Sequence, residues 1–285
     1  MLLLSYQHSY HAGNFADVHK HLTLSFLLSA LNKKAKPWSY LETHSGTAVY
    51  DLASEHATKT NEFKQGVARI HQQRSSNLLQ PYFQVIDQLN ESSDDLNLYP
   101  GSPWFAHHFA NQDLREDDKI SLMELHPGEY QKLKSVFRRD KKVGVHHRDG
   151  YEGVFAMLPP KPNRGMILID PSYEVKDEYL QVVSFIEKAY KRWNNGCFAI
   201  WYPLLKAGNH KEMIHKLKFS GIRNILKAEF CVKASDDDRM YGSGMIIINP
   251  SWQLDEQLRE ASDLLYKNLA QKEADKPAIN WIVPQ

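Results

Sequence analysis

The sequence predicts an α/β protein: a mostly parallel, doubly wound sheet that ends in an antiparallel hairpin and carries a helical insertion near its start. Three observations predict it. Short apolar runs bounded by Gly, Pro or acids alternate with segments of helical spacing from about residue 37 onward. The last two strand-like segments, 223–232 and 244–249, are joined by a polar loop, Ser235-Asp236-Asp237-Asp238-Arg239, which holds no helix and so favours antiparallel pairing. Residues 51–98 interrupt the alternation with two helix-like stretches.

Taken in order, strands are expected at 38–42 (WSYLE), 119–124 (KISLME), 143–147 (VGVHH), 166–170 (MILID) and 197–202 (CFAIWY), ahead of the hairpin. Such short apolar runs read as parallel strands buried on both faces. Between them, Leu180, Val183, Ile186 and Tyr190 share one helical face, and Met213, His215 and Leu217 lie on a second helix stopped by Gly221. Leu254, Leu258, Leu265 and Leu269 make 253–270 an amphipathic helix. Inside 51–98, helices are expected around Phe63/Val67/Ile70 and Phe83/Ile86/Leu89. The reading is one domain formed by 1–50 and 99–285, with an N-terminal segment folded as a cap over the strand ends, and 51–98 as an inserted helical subdomain.

The 285 residues are 42% hydrophobic and 24% charged, as in globular proteins, and no apolar run approaches the length of a membrane span. The start, Met1 to His8, lacks a basic region and a long apolar stretch, so no signal peptide is expected. Cys197 and Cys231 sit in apolar stretches and read as reduced core residues, which suits a cytoplasmic protein. Net charge is +1, so nucleic-acid binding must use local patches. Lys33-Lys34-Ala35-Lys36, Arg138-Arg139-Asp140-Lys141-Lys142 and Lys188/Lys191/Arg192 are either such patches or solvated faces.

Doubly wound sheets bind ligands outside the carboxyl ends of their strands. The first strand ends in Leu41-Glu42-Thr43-His44-Ser45-Gly46-Thr47-Ala48, either a small-residue turn that a ligand can approach or a plain βα turn; it contains no G-x-G-x-x-G. The second ends at Glu124, whose carboxylate either accepts from ribose hydroxyls or caps the next helix. After the third, Asp149 of Arg148-Asp149-Gly150-Tyr151 either accepts from an adenine amino group or N-caps a helix. In Tyr99-Pro100-Gly101-Ser102-Pro103, Ser102 reads as an N-cap with Pro103 at the first helical position.

The fourth strand runs into Asp170-Pro171-Ser172-Tyr173. Enzymes that methylate adenine amines carry Asp/Asn/Ser-Pro-Pro-aromatic at this place. The adenine N6 lone pair is delocalised into the ring, and a carboxylate plus a backbone carbonyl can accept its two N–H bonds and localise the pair. Asp170 and the Pro171 carbonyl fit those two roles, and Tyr173 fits the aromatic that stacks on an extruded base. Proline also restricts Asp170 to extended conformations. The alternative is a turn that merely ends a buried strand. A similar Asn249-Pro250-Ser251-Trp252 follows the last strand, away from the centre of the sheet, and reads as structural. His8, His11, His19 and His21 crowd the N-terminus, yet no H-E-x-x-H or Cys/His pairing accompanies them, and no metal site is expected. Lys20 in the same segment would face a phosphate or a carboxylate if the segment caps the strand ends. Ser243 has no nucleophile-elbow pattern around it.

A mostly parallel sheet closed by a hairpin is the shape of S-adenosylmethionine-dependent methyltransferases. The stretches SYQHSYHAGNFADVHKH, YLETHSGTAVY, YPGSP, MELHPGEY, RDGYEGV, LIDPSYE, WYPLLK, SGMIIINPSW and WIVP resemble, in order from residue 5 to the end, the RlmJ family of 23S ribosomal RNA adenine-N6 methyltransferases. The resemblance implies a class I methyltransferase fold, with a Rossmann-like sheet and a helical subdomain inserted after the first strand. It implies S-adenosylmethionine as cofactor and 23S rRNA as substrate, protein-free or in an early assembly intermediate. It places Lys20, His21, His44 and Ser102 on the cofactor, Glu124 on its ribose, and Asp149 with Gly150 at its adenine. Asp170 becomes the catalytic acceptor, also within reach of the cofactor, and Tyr6 approaches the target nucleoside. Ser172 stands where the family usually has a second proline.

The expected function is therefore N6-methylation of an adenine in 23S rRNA, with no membrane or metal involved. The rivals are a DNA adenine-N6 methyltransferase, for which duplex DNA would compete with rRNA, and a non-catalytic DNA-binding protein of external-DNA utilisation, which would bind DNA without consuming S-adenosylmethionine.

Overall fold

The computed structural model describes residues 7–91, 95–112, 115–235, 239–271 and 273–284. Helix α1 (Phe15–Asn32) precedes the first strand, β1 (Ser39–Glu42). A short antiparallel pair, β2 (Val49–Asp51) with β3 (Leu98–Pro100), brackets α2 (Glu55–Thr60), α3 (Val67–Ile70) and α4 (Gln80–Leu89). The chain continues through α5 (Ser102–Asn111), β4 (Lys119–Glu124), α6 (Pro127–Val136), β5 (Val143–His147), α7 (Gly150–Ala156), β6 (Gly165–Ile169), α8 (Glu178–Arg192), β7 (Cys197–Leu204) and α9 (His210–Phe219). It closes with β8 (Ile225–Cys231), β9 (Gly242–Ile248), α10 (Leu254–Leu269) and β10 (Ala278–Val283).

Eight of the described strands form one sheet in the order β10-β8-β9-β7-β6-β1-β4-β5. The strands from β5 to β7 are parallel, and β9, β8 and β10 add antiparallel to the β7 edge. This is the class I methyltransferase arrangement. The chain leaves β1 for β4 and β5 on one side and then crosses to β6 on the other, so the topological switch lies at β1, where such folds bind ligands.

The sheet is a middle layer. Along β6, Met166 and Leu168 join the cluster that contains α1, α4, α5 and α10, whereas Ile167 and Ile169 join the cluster of α7, α8 and α9. Tyr40 and Leu41, and Ile246 and Ile247, divide in the same way, as a two-residue side-chain period requires. These strands are apolar throughout because helices cover both faces.

Four sequence expectations need correction. The N-terminal segment is more than a cap: from Phe15 it is an 18-residue helix laid on the sheet, with Ala16 to Leu28 all buried. Its histidines, lysine and hydroxyls hid it from apolar periodicity; among them, Thr23 and Ser25 bond back to the carbonyls of His19 and His21. In α8 the buried face is Tyr179, Val182, Val183, Phe185, Ile186 and Ala189, while Leu180 points to solvent. Phe63 lies in a 3₁₀ turn, Glu62–Gln65, ahead of the four-residue α3. The edge strand β10 was not foreseen.

Candidate active site

Three acids gather at the carboxyl ends of the central strands because the register aligns them. Glu42 ends β1 opposite Leu122 of β4 and Leu168 of β6, so Glu124 and Asp170 follow two residues beyond on either side. The chain after β1 is tied to both neighbours: Thr43 N–H donates to the Leu168 carbonyl and Ser45 N–H to the Met123 carbonyl.

Asp170 receives the Lys20 ammonium on Oδ2 at 2.6 Å, and the same ammonium lies 3.1 Å from Asp17 Oδ1. Asp17 in turn takes His8 Nε2 at 2.8 Å and the Gly13 N–H at 2.9 Å. Burial alone would raise the Asp17 carboxyl, but the charges of His8, Lys20 and His21 hold it well below the usual carboxylate range. The N-terminal helix is thus anchored to the end of β6 through a lysine shared by two carboxylates. Lys20 does face a carboxylate.

Glu42 is fully buried. It accepts from the Ser102 hydroxyl and, at 3.0 Å, from the Tyr40 hydroxyl. Burial, with the charge of Asp170 adding to it, pushes its pKa up to about 8. Ser102 was expected to cap α5; Gly101 is the N-cap instead, and the Ser102 hydroxyl is committed to Glu42, the buried acid that needs a donor.

Glu124 accepts the Gly46 N–H on Oε2 at 2.8 Å and the His126 N–H on Oε1 at 2.7 Å. Burial raises its pKa. Each oxygen keeps a lone pair for an outside hydroxyl. Gly46 adopts φ +56°, a left-handed conformation natural to glycine, and so aims its N–H at this carboxylate. His44 bonds through Nδ1 to the Thr43 hydroxyl at 2.8 Å, and burial lowers its pKa to about 4. His21 bonds the Tyr99 hydroxyl through Nδ1 at 2.8 Å, and burial lowers its pKa as well. Its Nε2, like the Ser45 hydroxyl, is buried with no partner among the described residues.

Two cavities meet here. A narrow pocket is lined by His21, His44, Ser45, Gly46, Ser102 and Glu124. A wide cleft of about 570 Å³ is lined by Asn14, Phe15, Pro171, Tyr173 and Trp201, and by Asn61, Glu62 and Arg69 from the helical segment. His8, Lys20, Asp170 and Ser172 border both. The narrow pocket, lined by three unpartnered polar atoms on His21, Ser45 and Glu129 and by a carboxylate free to accept from a diol, suits a nucleoside cofactor.

Tyr173 has φ +55°, uncommon for a bulky residue and an instance of local strain at a site. The turn is held by its N–H, which donates to Glu178 at 2.7 Å, and by its hydroxyl, which donates to the Trp201 carbonyl at 2.7 Å. Asp149 N-caps α7 through the Glu152 N–H at 2.9 Å, and neither it nor Gly150 lines the pockets. Gly150 packs on the Thr43 carbonyl, where a Cβ would stand 1.8 Å from the oxygen, so only glycine allows the approach. Tyr6 lies outside the described residues. Asn249 is at the opposite end of the sheet, bonded to the Asn194 and Gly196 carbonyls, consistent with a structural turn.

The histidines divide among separate partners: His8 with Asp17, His11 with Glu62, His19 with Ser243 and His21 with Tyr99. Among the described residues, no group of three His, Cys, Asp or Glu is placed to hold a metal ion, and no helix is long and apolar enough to cross a membrane. Sequence reasoning missed His8, Asp17, Glu42 and Trp201. The first two sat in the N-terminal block, Glu42 at a strand end and Trp201 in the WYPLLK stretch, so their positions were visible while their roles were not.

The family model described as "Ribosomal RNA large subunit methyltransferase D, RlmJ" matches residues 35–283. The chain is 44% identical to the ribosomal RNA large subunit methyltransferase J of Escherichia coli, over 99% of this chain and 100% of that one. It is 42% identical to the protein of the same name from Haemophilus influenzae, with the same coverage. A crystal structure of a Legionella pneumophila protein, 36% identical, superposes with a TM-score of 0.87 over 95% of this chain and 98% of that chain.

Proposed function

The chain belongs to the RlmJ family of ribosomal RNA large subunit methyltransferases, and from that premise we propose that it methylates N6 of an adenine in 23S rRNA. The single observation that carries the reading is Asp170, which stands where the narrow pocket and the wide cleft meet.

S-adenosylmethionine is the cofactor, and when bound it supplies an electrophilic methyl group. In this reading it occupies the narrow pocket. His21 and Ser45 supply polar atoms that have no partner within the protein. Glu124 accepts from the ribose, and its two backbone donors keep the carboxylate oriented. Lys20, His44 and Ser102 border the same space, and Asp149 with Gly150 shapes the turn beside it.

The target adenine enters the wide cleft. Lys20 holds one oxygen of Asp170, so the other oxygen and the Pro171 carbonyl accept the two N6 hydrogens. That pairing draws the nitrogen lone pair out of conjugation. Little base strength is needed beforehand, since the amine proton becomes acidic only as the new bond forms. The rRNA is taken protein-free or early in assembly. Residues 51–98 act as a helical unit that walls one side of the cleft, with Asn61, Glu62 and Arg69 facing the RNA.

The test is radiolabelled methyl transfer to protein-free 23S rRNA from cells lacking the activity, followed by nucleoside digestion. N6-methyladenosine is expected with the wild type and not with Asp170→Ala. Transfer to duplex DNA in preference to rRNA would overturn the substrate, and equal transfer by Asp170→Ala would overturn the site.

A further inference from the structure

The geometry points to Trp201 as the aromatic surface on which the target base rests, an inference that builds on the adenine-methylating reading of the cleft. The aromatic of the strand-end motif is Tyr173, but the residue is only 7% exposed. It packs on Tyr179 with centroids 4.3 Å apart, and its hydroxyl is spent on the Trp201 carbonyl. Little of that ring is left to meet a base.

Trp201 is placed differently. It lies within β7 between Ile200 and Tyr202, both of which have 0% exposure, yet it is itself partly exposed and lines the wide cleft. A large apolar side chain left open in a core strand leaves contact surface unused unless something covers it. Its ring is held by one side-chain bond and its strand by another. The indole N–H donates to Ser243 Oγ at 2.9 Å on the neighbouring β9, and Ser243 is itself bonded to His19 Nδ1 at 3.0 Å. The backbone carbonyl takes the Tyr173 hydroxyl. A ring locked in this way loses little rotamer freedom when a ligand arrives.

The ring also lies beside the chemistry. The Lys20 ammonium is 2.6 Å from Asp170 and 5.7 Å from the centroid of the indole, so one cation spans both groups. A planar base whose amine reaches Asp170 is thereby brought close to Trp201, and in this proposal its ring system rests on the indole. Stacking of this kind accepts any base, because each has a π-face. Trp201 thus contributes base capture and positioning, while Asp170 and the Pro171 carbonyl read the amine. Tyr173 backs the platform.

The experiment compares wild type, Trp201→Phe and Trp201→Ala in methyl transfer to protein-free 23S rRNA, with S-adenosylmethionine affinity and melting temperature measured on each protein. Stacking worth that of one base predicts that Trp201→Ala loses roughly 10- to 100-fold in kcat/KM for RNA. Cofactor affinity should change less than about twofold, and Trp201→Phe should recover most of the loss. Wild-type kinetics in Trp201→Ala would overturn the proposal. So would a Phe variant as impaired as the Ala variant, with cofactor affinity and melting temperature lost together, because Trp201 would then be a core residue. Failure of the parent reading is visible separately: the wild type itself would form no N6-methyladenosine, and the proposal would fall with it.

Discussion

Lys20 and Asp170, 150 residues apart in the chain, meet at 2.6 Å, and the same ammonium reaches Asp17 at 3.1 Å. Both members of the main pair are largely shielded, with side-chain exposures of 6% and 14%. One cation lies between two carboxylates, one on the N-terminal helix and one on the turn after β6. Lys20→Met takes this cation from Asp170 and leaves Asp17 with His8 and the Gly13 N–H, and loss of one partner of a buried pair typically costs about 3–5 kcal/mol. Urea denaturation is expected to show a destabilisation of that order, partly relieved by adding Asp170→Asn. An unchanged midpoint for Lys20→Met would mean that the bridge is not formed in solution.

In the proposed mechanism Asp170→Ala removes the acceptor that orients the amine while leaving Glu124, His21 and Ser45 in place. Turnover is expected to vanish while S-adenosylmethionine affinity, read by calorimetry, stays near that of the wild type. A joint loss of binding and rate would shift Asp170 to a cofactor-holding role.

Glu42 gives the protein a pH signature. Burial raises its carboxyl from the ordinary 4.5 to about 8. Between those values the native state keeps a proton that the unfolded chain has released. Stability therefore falls as pH rises through this window, by up to ~1.4 kcal/mol per pH unit. Glu42→Gln keeps the shape and removes the titration. Its stability relative to wild type should climb from about pH 5 to pH 8 and level off above. Parallel curves of unfolding midpoint against pH would show that Glu42 is already ionised in the fold.

Glu124→Gln replaces one carboxylate oxygen with an NH2 group, so only one of the Gly46 and His126 N–H groups keeps its acceptor and the charge is lost. The KM for S-adenosylmethionine should rise about tenfold or more, the equivalent of one charge-assisted hydrogen bond, with kcat affected less. A fall in kcat at unchanged KM would place Glu124 in the chemistry instead.

Ser172→Pro restores the residue more usual in the family. Proline at this position would stiffen the turn between Pro171 and the strained Tyr173, whose N–H bond to Glu178 does not involve residue 172. Activity is expected to hold or rise. A folded but inactive Ser172→Pro would show that this turn needs the freedom of serine.

Much of the sheet was legible because its strands obey local rules. The run 166–170 was expected as a strand and is one at Gly165–Ile169, and the helix-free loop at 235–239 correctly announced the antiparallel pair. A short apolar run bounded by turn residues has few other stable homes. Helix α1 was illegible for the opposite reason. It is covered on all sides, so it has no amphipathic stripe, and its polar residues are satisfied by partners far away in sequence, such as Ser243 for His19 and Tyr99 for His21.

The sequence by itself determined the chemistry on offer: an acid, a proline and an aromatic at the end of the fourth main strand, acids at the ends of the first and second, and a distinctive N-terminal block that marks the family. Those are properties of residue types and their order. Only the tertiary structure decided which groups are charged, which are spoken for and which remain open. It joined Lys20 to Asp170, buried Glu42 among hydroxyls, turned Tyr173 inward and left Trp201 facing the cleft. Protonation and exposure depend on neighbours brought together through space and on how much water they exclude, and neither is written in local sequence.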